Sequence, residues 1–219
     1  SGKIQLSGSG HDSQILTSAF SFDGQKFATA GSDFSVIIWS FHKGEEILRL
    51  DGHKKAITTI AFSPDGNFLA SGSQDKRIFL WNLDTKISKN PYLYLDGHEF
   101  IVNQVFFSKD GKSLISVSKD KTMRLWQVHT GKLLRIIHGD STPLVSAALS
   151  PNGELIALSN LKKDILIFEF PNDINELENN IEEKNLKTIE NKNFKFEESS
   201  ESLNSETIIY MDDLQEKKN

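Results

Sequence analysis

The sequence predicts an all-β fold built from one four-stranded antiparallel unit that recurs along the chain. The first observation is a period: the only three tryptophans of the 219 residues, Trp39, Trp81 and Trp126, are 42 and 45 residues apart. The second is a glycine 15 residues before each tryptophan, where the chain needs a tight reversal. The third is the distribution of apolar residues, which come in short β-rich runs bounded by Gly, Pro, Asp or Ser.

Three more residue types keep a constant distance from each tryptophan. A histidine of a Gly-His pair lies 28 residues before it, a serine or threonine 10 residues before it, and an aspartate 6 residues before it. The three sets are His11, Thr29, Asp33 and Trp39; His53, Ser71, Asp75 and Trp81; and His98, Ser116, Asp120 and Trp126. Four positions that recur three times in one register are the signature of a repeat fold.

The second period shows the unit most clearly. Its apolar runs, at 57–62, 68–73, 78–83 and 92–95, predict four consecutive strands. The glycine at the first reversal is Gly66, and Gly24 and Gly111 are its equivalents. Because tight reversals join antiparallel neighbours, each period is predicted to form one antiparallel sheet.

A fourth copy follows in which the polar markers are replaced. Phe168 takes the tryptophan position 42 residues after Trp126, and the motif Ser150-Pro151-Asn152-Gly153 keeps the turn. The positions of His, Ser/Thr and Asp are occupied by Asp140, Leu158 and Lys162. The fourth unit is therefore predicted to lack the polar set.

These residues resemble the WD-repeat family of β-propellers, whose repeats carry Gly-His near the start and Trp-Asp near the end. The resemblance covers about residues 11–170, with Ser40, Asn82 and Gln127 in place of the aspartate after Trp. It implies that each sheet is one blade, and that the stretch 4–6 is an outer strand of the last blade of a ring or of a blade that is absent. Since propellers of this family usually have seven blades, we expect part of a larger ring, or an arc completed by its own tail or another chain.

The chain divides into two parts of different composition. Residues 1–170 hold 19 basic and 17 acidic residues, a net charge of +2, with repeats at about 10–51, 52–96, 97–138 and 139–170. Residues 171–219 hold 6 basic and 13 acidic residues, a net charge of −7, and outside the run 208–211 their apolar residues are far apart. We expect this second part to be an acidic degenerate repeat, with Met211 in the tryptophan position, or a partly disordered tail.

The recurrence of His, Asp and Ser/Thr raises the alternative of a hydrolase, since acyl transfer needs a base, an orienting carboxylate and a hydroxyl. A catalytic triad occurs once, whereas this set occurs three times, always with a tryptophan. The resemblance implies instead a structural chain of hydrogen bonds from the Trp indole through Ser/Thr and His to Asp within each blade. We therefore predict no catalytic residue and no enzyme activity.

Other kinds of site lack support in the sequence. His11, His53 and His98 belong to separate repeats, and no closely spaced histidine pair of the kind that binds zinc occurs. No glycine-rich phosphate loop occurs either, so neither a metal nor a cofactor is predicted. The chain has no cysteine and no apolar run near the ~18 residues of a membrane span. We expect a soluble protein of the cytoplasm or nucleus without a membrane partner.

The resemblance also implies a docking face, because the loops after Gly-His and the aspartate-bearing turns usually bind peptides and other proteins in this family. This chain places basic residues there in consecutive repeats. The candidate rim consists of Lys54, Lys55, Lys76, Arg77, Phe100, Lys119, Lys121, Lys162 and Lys163. Two interpretations stay open: an ordinary solvated surface, and a shallow basic surface that attracts an acidic segment or a phosphate backbone.

We therefore expect a non-catalytic scaffold that binds other proteins, through acidic or extended peptide segments, within a multiprotein complex. One alternative is an RNA-associated propeller of a ribonucleoprotein or RNA-processing complex, in which Phe34 and Phe100 would stack on bases. A second alternative is a regulatory propeller attached to a catalytic domain outside this sequence.

Overall fold

The structure is a computed structural model that describes residues 9–83, 90–139 and 142–170. The regular secondary structure in these ranges consists of β-strands alone. The strands form four antiparallel sheets, which we number 1 to 4 in chain order. The all-β fold class and the repeated antiparallel unit are therefore confirmed. The described residues contain no helix long and apolar enough to cross a membrane.

Sheets 1 to 3 each contain four strands in sequence order. Sheet 1 comprises β1 (Ile15–Phe20), β2 (Lys26–Gly31), β3 (Ser35–Ser40) and β4 (Glu46–Asp51). Sheet 2 comprises β5 (Ile57–Phe62), β6 (Phe68–Ser73), β7 (Ile78–Asn82) and β8 (Leu93–Leu95). Sheet 3 comprises β9 (Val102–Phe107), β10 (Ser113–Ser118), β11 (Thr122–Gln127) and β12 (Leu133–His138). The four strands predicted for the second period are present, with ends that differ by one residue at most.

Sheet 4 comprises three described strands, β13 (Leu144–Leu149), β14 (Leu155–Asn160) and β15 (Ile165–Glu169). The fourth strand predicted for this unit would follow Phe170 and lies outside the described residues. The stretch 4–6, Asp140 and the fifth copy around Met211 lie outside them as well. The division of the chain at residue 170 and the number of blades in a complete ring stay predictions.

A Ser-x-Asp-Gly or Ser-x-Asn-Gly motif holds the first turn of every sheet. In sheet 1 the Ser21 hydroxyl donates to the Asp23 carboxylate (2.6 Å), and the Lys26 N–H donates to Ser21 Oγ (2.9 Å). Gly24 completes the turn at a φ of +67°, where a side chain would be strained. The equivalent glycines are Gly66, Gly111 and Gly153, with φ between +70° and +83°. The glycine reversals are thus confirmed, whereas the hydrogen bonds made by the serine and by the Asp or Asn of the motif were not predicted.

Apolar layers between consecutive sheets form the core. We call the face of a sheet that packs on the previous sheet its leading face, and the face that packs on the next sheet its trailing face. Between sheets 1 and 2, Val36 and Ile38 of the trailing face cluster with Ile60, Leu69 and Trp81 of the leading face. Equivalent clusters lie between sheets 2 and 3 and between sheets 3 and 4. Since burial of one such side chain contributes about 1.5–3 kcal/mol, these layers hold each sheet to the next.

Polar side chains also join the first strands of neighbouring sheets. The Thr58 hydroxyl of β5 donates to the Val102 carbonyl of β9. The Val105 N–H donates to Thr59 Oγ1 (3.1 Å). The same pair of bonds recurs 45 residues later between β9 and β13, from Asn103 to the Leu144 carbonyl (2.7 Å) and from the Ala147 N–H to Gln104 (2.7 Å). These bonds give partners to backbone groups that the sheet leaves unpaired.

Candidate functional site

The residues that recur with each tryptophan meet at one end of sheets 1 to 3. In sheet 2 the Trp81 indole N–H donates to Ser71 Oγ (2.9 Å), which lies 2.8 Å from His53 Nε2. The other ring nitrogen, His53 Nδ1, lies 2.9 Å from the Asp75 carboxylate. These side chains connect β7, β6, the loop before β5 and the β6–β7 turn. We call this arrangement the Trp-to-Asp chain.

Sheets 1 and 3 repeat the Trp-to-Asp chain with nearly the same distances. In sheet 1 the links are Trp39–Thr29 (2.8 Å), Thr29–His11 (2.7 Å) and His11–Asp33 (2.7 Å). In sheet 3 they are Trp126–Ser116 (2.8 Å), Ser116–His98 (2.8 Å) and His98–Asp120 (2.6 Å). The structure therefore brings the twelve residues of the set into hydrogen-bond contact, four in each sheet.

The direction of these bonds follows from what each group can donate. An indole N–H only donates, and an ionised carboxylate only accepts. The histidine Nδ1 must therefore carry a proton. The hydroxyl accepts from the indole and donates its own hydrogen to Nε2. A neutral histidine with its proton on Nδ1 thus gives every link of the chain both a donor and an acceptor.

Each aspartate also accepts hydrogen bonds from two backbone N–H groups, one in the loop after the histidine and one in its own turn. Asp75 accepts the Lys54 N–H at Oδ2 (2.9 Å) and the Arg77 N–H at Oδ1 (3.0 Å). The first bond holds the loop after the histidine, and the second closes the β6–β7 turn. Asp33 and Asp120 make the same two kinds of bond. One carboxylate thus fixes a histidine ring and two backbone segments.

These hydrogen bonds set the protonation of the carboxylates. Burial raises the pKa of Asp75, but the bonds from His53 and the Lys54 N–H outweigh it and bring the pKa to about 2. Against the same effect of burial, the His11 and His98 rings lower the pKa values of Asp33 and Asp120. All three carboxylates are therefore ionised at neutral pH, as the Trp-to-Asp chain requires.

The glycine of each Gly-His pair leaves room for the side chains around the ring. A Cβ on Gly10 would lie 2.7 Å from the Trp39 ring, and one on Gly52 would lie 3.2 Å from Phe79. His53 itself stacks on Phe79, with ring centroids 4.0 Å apart and planes at 10°. The Gly-His pair is thus explained by close packing, because a side chain at the glycine would displace the aromatic residues that support the histidine.

Sheet 4 holds its equivalent turn by different residues. Leu158 is buried at the Ser/Thr position, and Lys162 occupies the Asp position. Asn160 Oδ1 accepts the Lys162 N–H (2.8 Å) and the Asp164 N–H (3.0 Å), and the Asn160 amide donates to the Asp164 carboxylate (3.1 Å). Asn160 and Asp164 were not predicted, although an Asn two residues before a turn is a known turn signal.

The candidate rim lies at the aspartate end of the sheets. Its exposed cations are Lys54 and Lys55 before β5, Lys76 and Arg77 in the β6–β7 turn, Lys119 and Lys121 in the β10–β11 turn, and Lys162 and Lys163 in the β14–β15 turn. The structure brings Lys76 to the exposed Phe100 ring, with Nζ 5.8 Å from the ring centroid. Arg77 pairs instead with Asp96 (3.2 Å). Lys121 and Lys163 lie at the position equivalent to Lys76, whereas Lys54, Lys55, Lys119 and Lys162 have no lysine at the equivalent positions of the other sheets.

The residue after the aspartate position has a left-handed backbone in every sheet. These residues are Phe34, Lys76, Lys121 and Lys163, with φ between +68° and +74°. The left-handed region costs a residue with a side chain roughly 1–2 kcal/mol, and glycine escapes this cost. The sequence did not indicate this conformation, because neither lysine nor phenylalanine favours it.

The burial and the hydrogen bonds of the Trp-to-Asp chain fit a structural role and do not fit acyl transfer. Ser71 and Ser116 are fully buried, and each hydroxyl is shared between an indole and an imidazole. A substrate therefore has no access to these hydroxyls. Within 9–83, 90–139 and 142–170, no group of three or more His, Asp or Glu side chains could hold a metal ion. What this end of the sheets offers to other molecules is the exposed rim.

Asp75→Ala should lower the free energy of unfolding by ~2–4 kcal/mol, because it leaves the His53 Nδ1–H and two backbone N–H groups without an acceptor. Lys162→Ala, at the same register of sheet 4, should change it by less than ~0.5 kcal/mol. Urea unfolding of both variants provides the measurement. Equal shifts would contradict an intact chain in sheet 2 and a substituted turn in sheet 4.

The stability contributed by Asp75 should depend on pH in acid. Because its pKa in the folded state lies below the ordinary value of 3.8, at about 2, its contribution is complete above about pH 4 and is lost as the pH falls to about 2. The difference in unfolding free energy between the wild type and Asp75→Asn should therefore shrink over that interval. A difference that stays constant from pH 7 to about pH 2 would show that Asp75 is not held as described.

A comparison with models of protein families identifies the repeats of this sequence. The model of the WD domain, G-beta repeat, matches the chain three times, at residues 2–40, 44–82 and 89–127. Each match ends on the residue after a tryptophan, and together they cover more than half of the chain. No curated protein matches the chain significantly. WD-repeat propellers are in general non-catalytic scaffolds for interactions between proteins. With three matched repeats on three sheets of the expected topology, this chain belongs to the WD40 repeat family.

Proposed function

We propose that the chain is a scaffold that binds acidic, extended segments of partner proteins on its basic rim, within a multiprotein assembly of the cytoplasm or nucleus. The observation that carries this proposal is the series of exposed cations in equivalent turns of sheets 2, 3 and 4. Sheet 1 differs, because it has Asp12 and Phe34 at the corresponding positions. Exposed Asp96 and Glu99 lie among these cations but are outnumbered by them, and a surface with an excess of one sign attracts ligands of the opposite sign and speeds their association.

The contact between Lys76 and Phe100 supports an acidic peptide as the ligand. Both side chains are exposed, and they connect the β6–β7 turn of sheet 2 to the loop before β9 of sheet 3. An ammonium group beside an aromatic ring offers a carboxylate a charge and an adjacent apolar side chain a flat surface. An acidic residue next to an apolar one fits this pair, whereas a purely polar segment would use only half of it.

The left-handed lysines add a second line of support. Lys76 and Lys121 keep a side chain at a φ of +74° and +72°, where glycine would be more stable. Strain of this kind in an exposed turn favours a role for the side chain beyond folding. Both lysines belong to the rim, and both follow an aspartate that anchors the turn through the Trp-to-Asp chain.

The double variant Lys76→Gly/Lys121→Gly should become more stable and bind acidic ligands less well. Glycine removes the strain, so the free energy of unfolding should rise by ~0.5–2 kcal/mol. Loss of two exposed charges should weaken binding of a fluorescent Glu-Leu-rich peptide about three- to tenfold at low salt. Fluorescence polarisation gives the affinity, and urea unfolding gives the stability of the same samples.

The matched control is Lys109→Ala/Lys112→Ala, which removes two exposed charges from the β9–β10 turn at the opposite end of sheet 3. Its peptide affinity should stay within about twofold of the wild type. Equal losses in both double variants would mean that net charge alone attracts the peptide. Tighter binding of single-stranded RNA than of the peptide, at the same salt, would replace the proposal by the RNA-associated alternative.

A further inference from the structure

The β13–β14 turn of sheet 4 contains a pair of residues that can react with each other. Asn152-Gly153 is the only Asn-Gly pair of the sequence, and Asn152 is exposed in the turn. An asparagine side chain can react with the backbone nitrogen of the next residue. The reaction is fastest before glycine, because glycine has no side chain to shield that nitrogen. The pair is therefore a candidate site of spontaneous deamidation.

The reaction needs no reagent other than water. The Gly153 nitrogen loses its proton and forms a bond to Asn152 Cγ, the Cγ–Nδ2 bond breaks, and the side-chain nitrogen leaves as ammonia. Water then opens the resulting succinimide ring at one of its two carbonyls. Opening at one carbonyl gives aspartate, and opening at the other gives isoaspartate, in which the backbone runs through the side-chain carbon.

The folded turn holds both reacting groups by hydrogen bonds. The Gly153 N–H donates to the Ser150 carbonyl (2.8 Å), which keeps the proton on the nitrogen that must lose it. Asn152 Oδ1 accepts the Ser150 hydroxyl (2.6 Å) and the Glu154 N–H (3.2 Å). The side-chain carbonyl is therefore fixed by two donors. These bonds must break before the Gly153 nitrogen can bond to Cγ.

The amide group of Asn152 is held as well, in an arrangement that reverses the one in sheet 2. There the Asn67 amide donates to the Asp65 carboxylate (2.8 Å). In sheet 4 the Asn152 amide donates to the Glu154 carboxylate (2.7 Å), so the amide comes first and the carboxylate second. The equivalents of Asn152 in the other sheets are all aspartates: Asp23, Asp65 and Asp110. Only sheet 4 therefore has a reactive amide at this position of the turn.

We propose that Asn152 is the deamidation site of this chain, and that the folded β13–β14 turn suppresses the reaction until the turn opens locally. The aspartate product can still accept the Ser150 hydroxyl and the Glu154 N–H, as the aspartates of the other sheets do at their turns. It places a second carboxylate beside Glu154, at the end of sheet 4 opposite the basic rim. The isoaspartate product adds a methylene to the backbone and breaks the turn.

The experiment follows the conversion of Asn152 by mass spectrometry of peptides, after incubation of the full chain at neutral pH. The folded wild type should deamidate at least about tenfold more slowly than the same chain unfolded in urea, because several hydrogen bonds must break first. Ser150→Ala removes the hydroxyl that binds Asn152 Oδ1. It should raise the rate in the folded state about two- to tenfold and leave the rate in urea unchanged. If this variant does not fold, Glu154→Ala removes the bond to the amide instead, and its rate in urea is the reference.

The matched control is Ser108→Ala, which removes the equivalent serine of sheet 3, where the hydroxyl binds Asp110 (2.6 Å). Its rate at Asn152 should stay within about twofold of the wild type. Equal rates in the folded and unfolded wild type would overturn the suppression by the turn. Faster conversion of another asparagine in the folded chain would overturn the assignment of the site. An equal acceleration in Ser108→Ala and Ser150→Ala would overturn local opening, because it would trace the reaction to unfolding of the whole chain.

Discussion

In each of the first three sheets, a neutral histidine is held between a buried hydroxyl and an ionised aspartate, and it connects the strands, loop and turn at the aspartate end of that sheet. Each nitrogen of the buried His53 ring has its own partner, Ser71 at Nε2 and Asp75 at Nδ1, so the two partners must be in place together. The hydroxyl accepts a hydrogen bond from the indole of the third strand, and the aspartate accepts hydrogen bonds from two backbone N–H groups. One side chain thereby couples three strands, a loop and a turn. This coupling fixes the positions of the rim residues in sheets 2 and 3, whereas Asn160 holds the rim turn of sheet 4.

The stacking of sheets depends on a second constraint, the complementarity of their faces. The trailing faces present mainly small and aliphatic residues, together with Phe68 and Phe106, and the leading faces present the tryptophan or phenylalanine of the third strand. Hydrogen bonds between the first strands add direction to this apolar packing. Sheet 4 shows that the two constraints are separable. It has lost the Trp-to-Asp chain but still packs its leading face on sheet 3, and Asn160 holds its turn locally.

Much of this architecture could be predicted from the sequence, because the Trp-to-Asp chain needs particular residue types at fixed distances. No other side chain replaces a neutral histidine that must donate at one nitrogen and accept at the other, so the pattern is visible in His53, Ser71 and Asp75. The links between sheets were not predictable in this way. Threonine serves in one joint, and Asn103 and Gln104 serve in the next, because any polar side chain of suitable length can reach a backbone partner.

The left-handed residues escaped prediction for a different reason. A lysine such as Lys76 takes this conformation within a turn that side-chain hydrogen bonds hold, from Asp75 in sheet 2 and from Asn160 before Lys163 in sheet 4, and no local propensity of lysine records this effect. The exposure of Ile165 and Ile167 is a different case, because an open arc of blades is expected to expose an apolar face at each end. Their residue types are those of a buried strand, and only the arrangement of the sheets shows that nothing described covers them.

The most direct measurement is nitrogen-15 NMR of the histidine and tryptophan side chains in the full chain at neutral pH. His11, His53 and His98 should each be neutral with the proton on Nδ1, and the indole N–H groups of the three tryptophans should exchange slowly with solvent. His42, His129 and His138, which lie outside the Trp-to-Asp chains, serve as internal references. A proton on Nε2 in the three histidines, or indole exchange as fast as in a free peptide, would contradict the central role of the Trp-to-Asp chain.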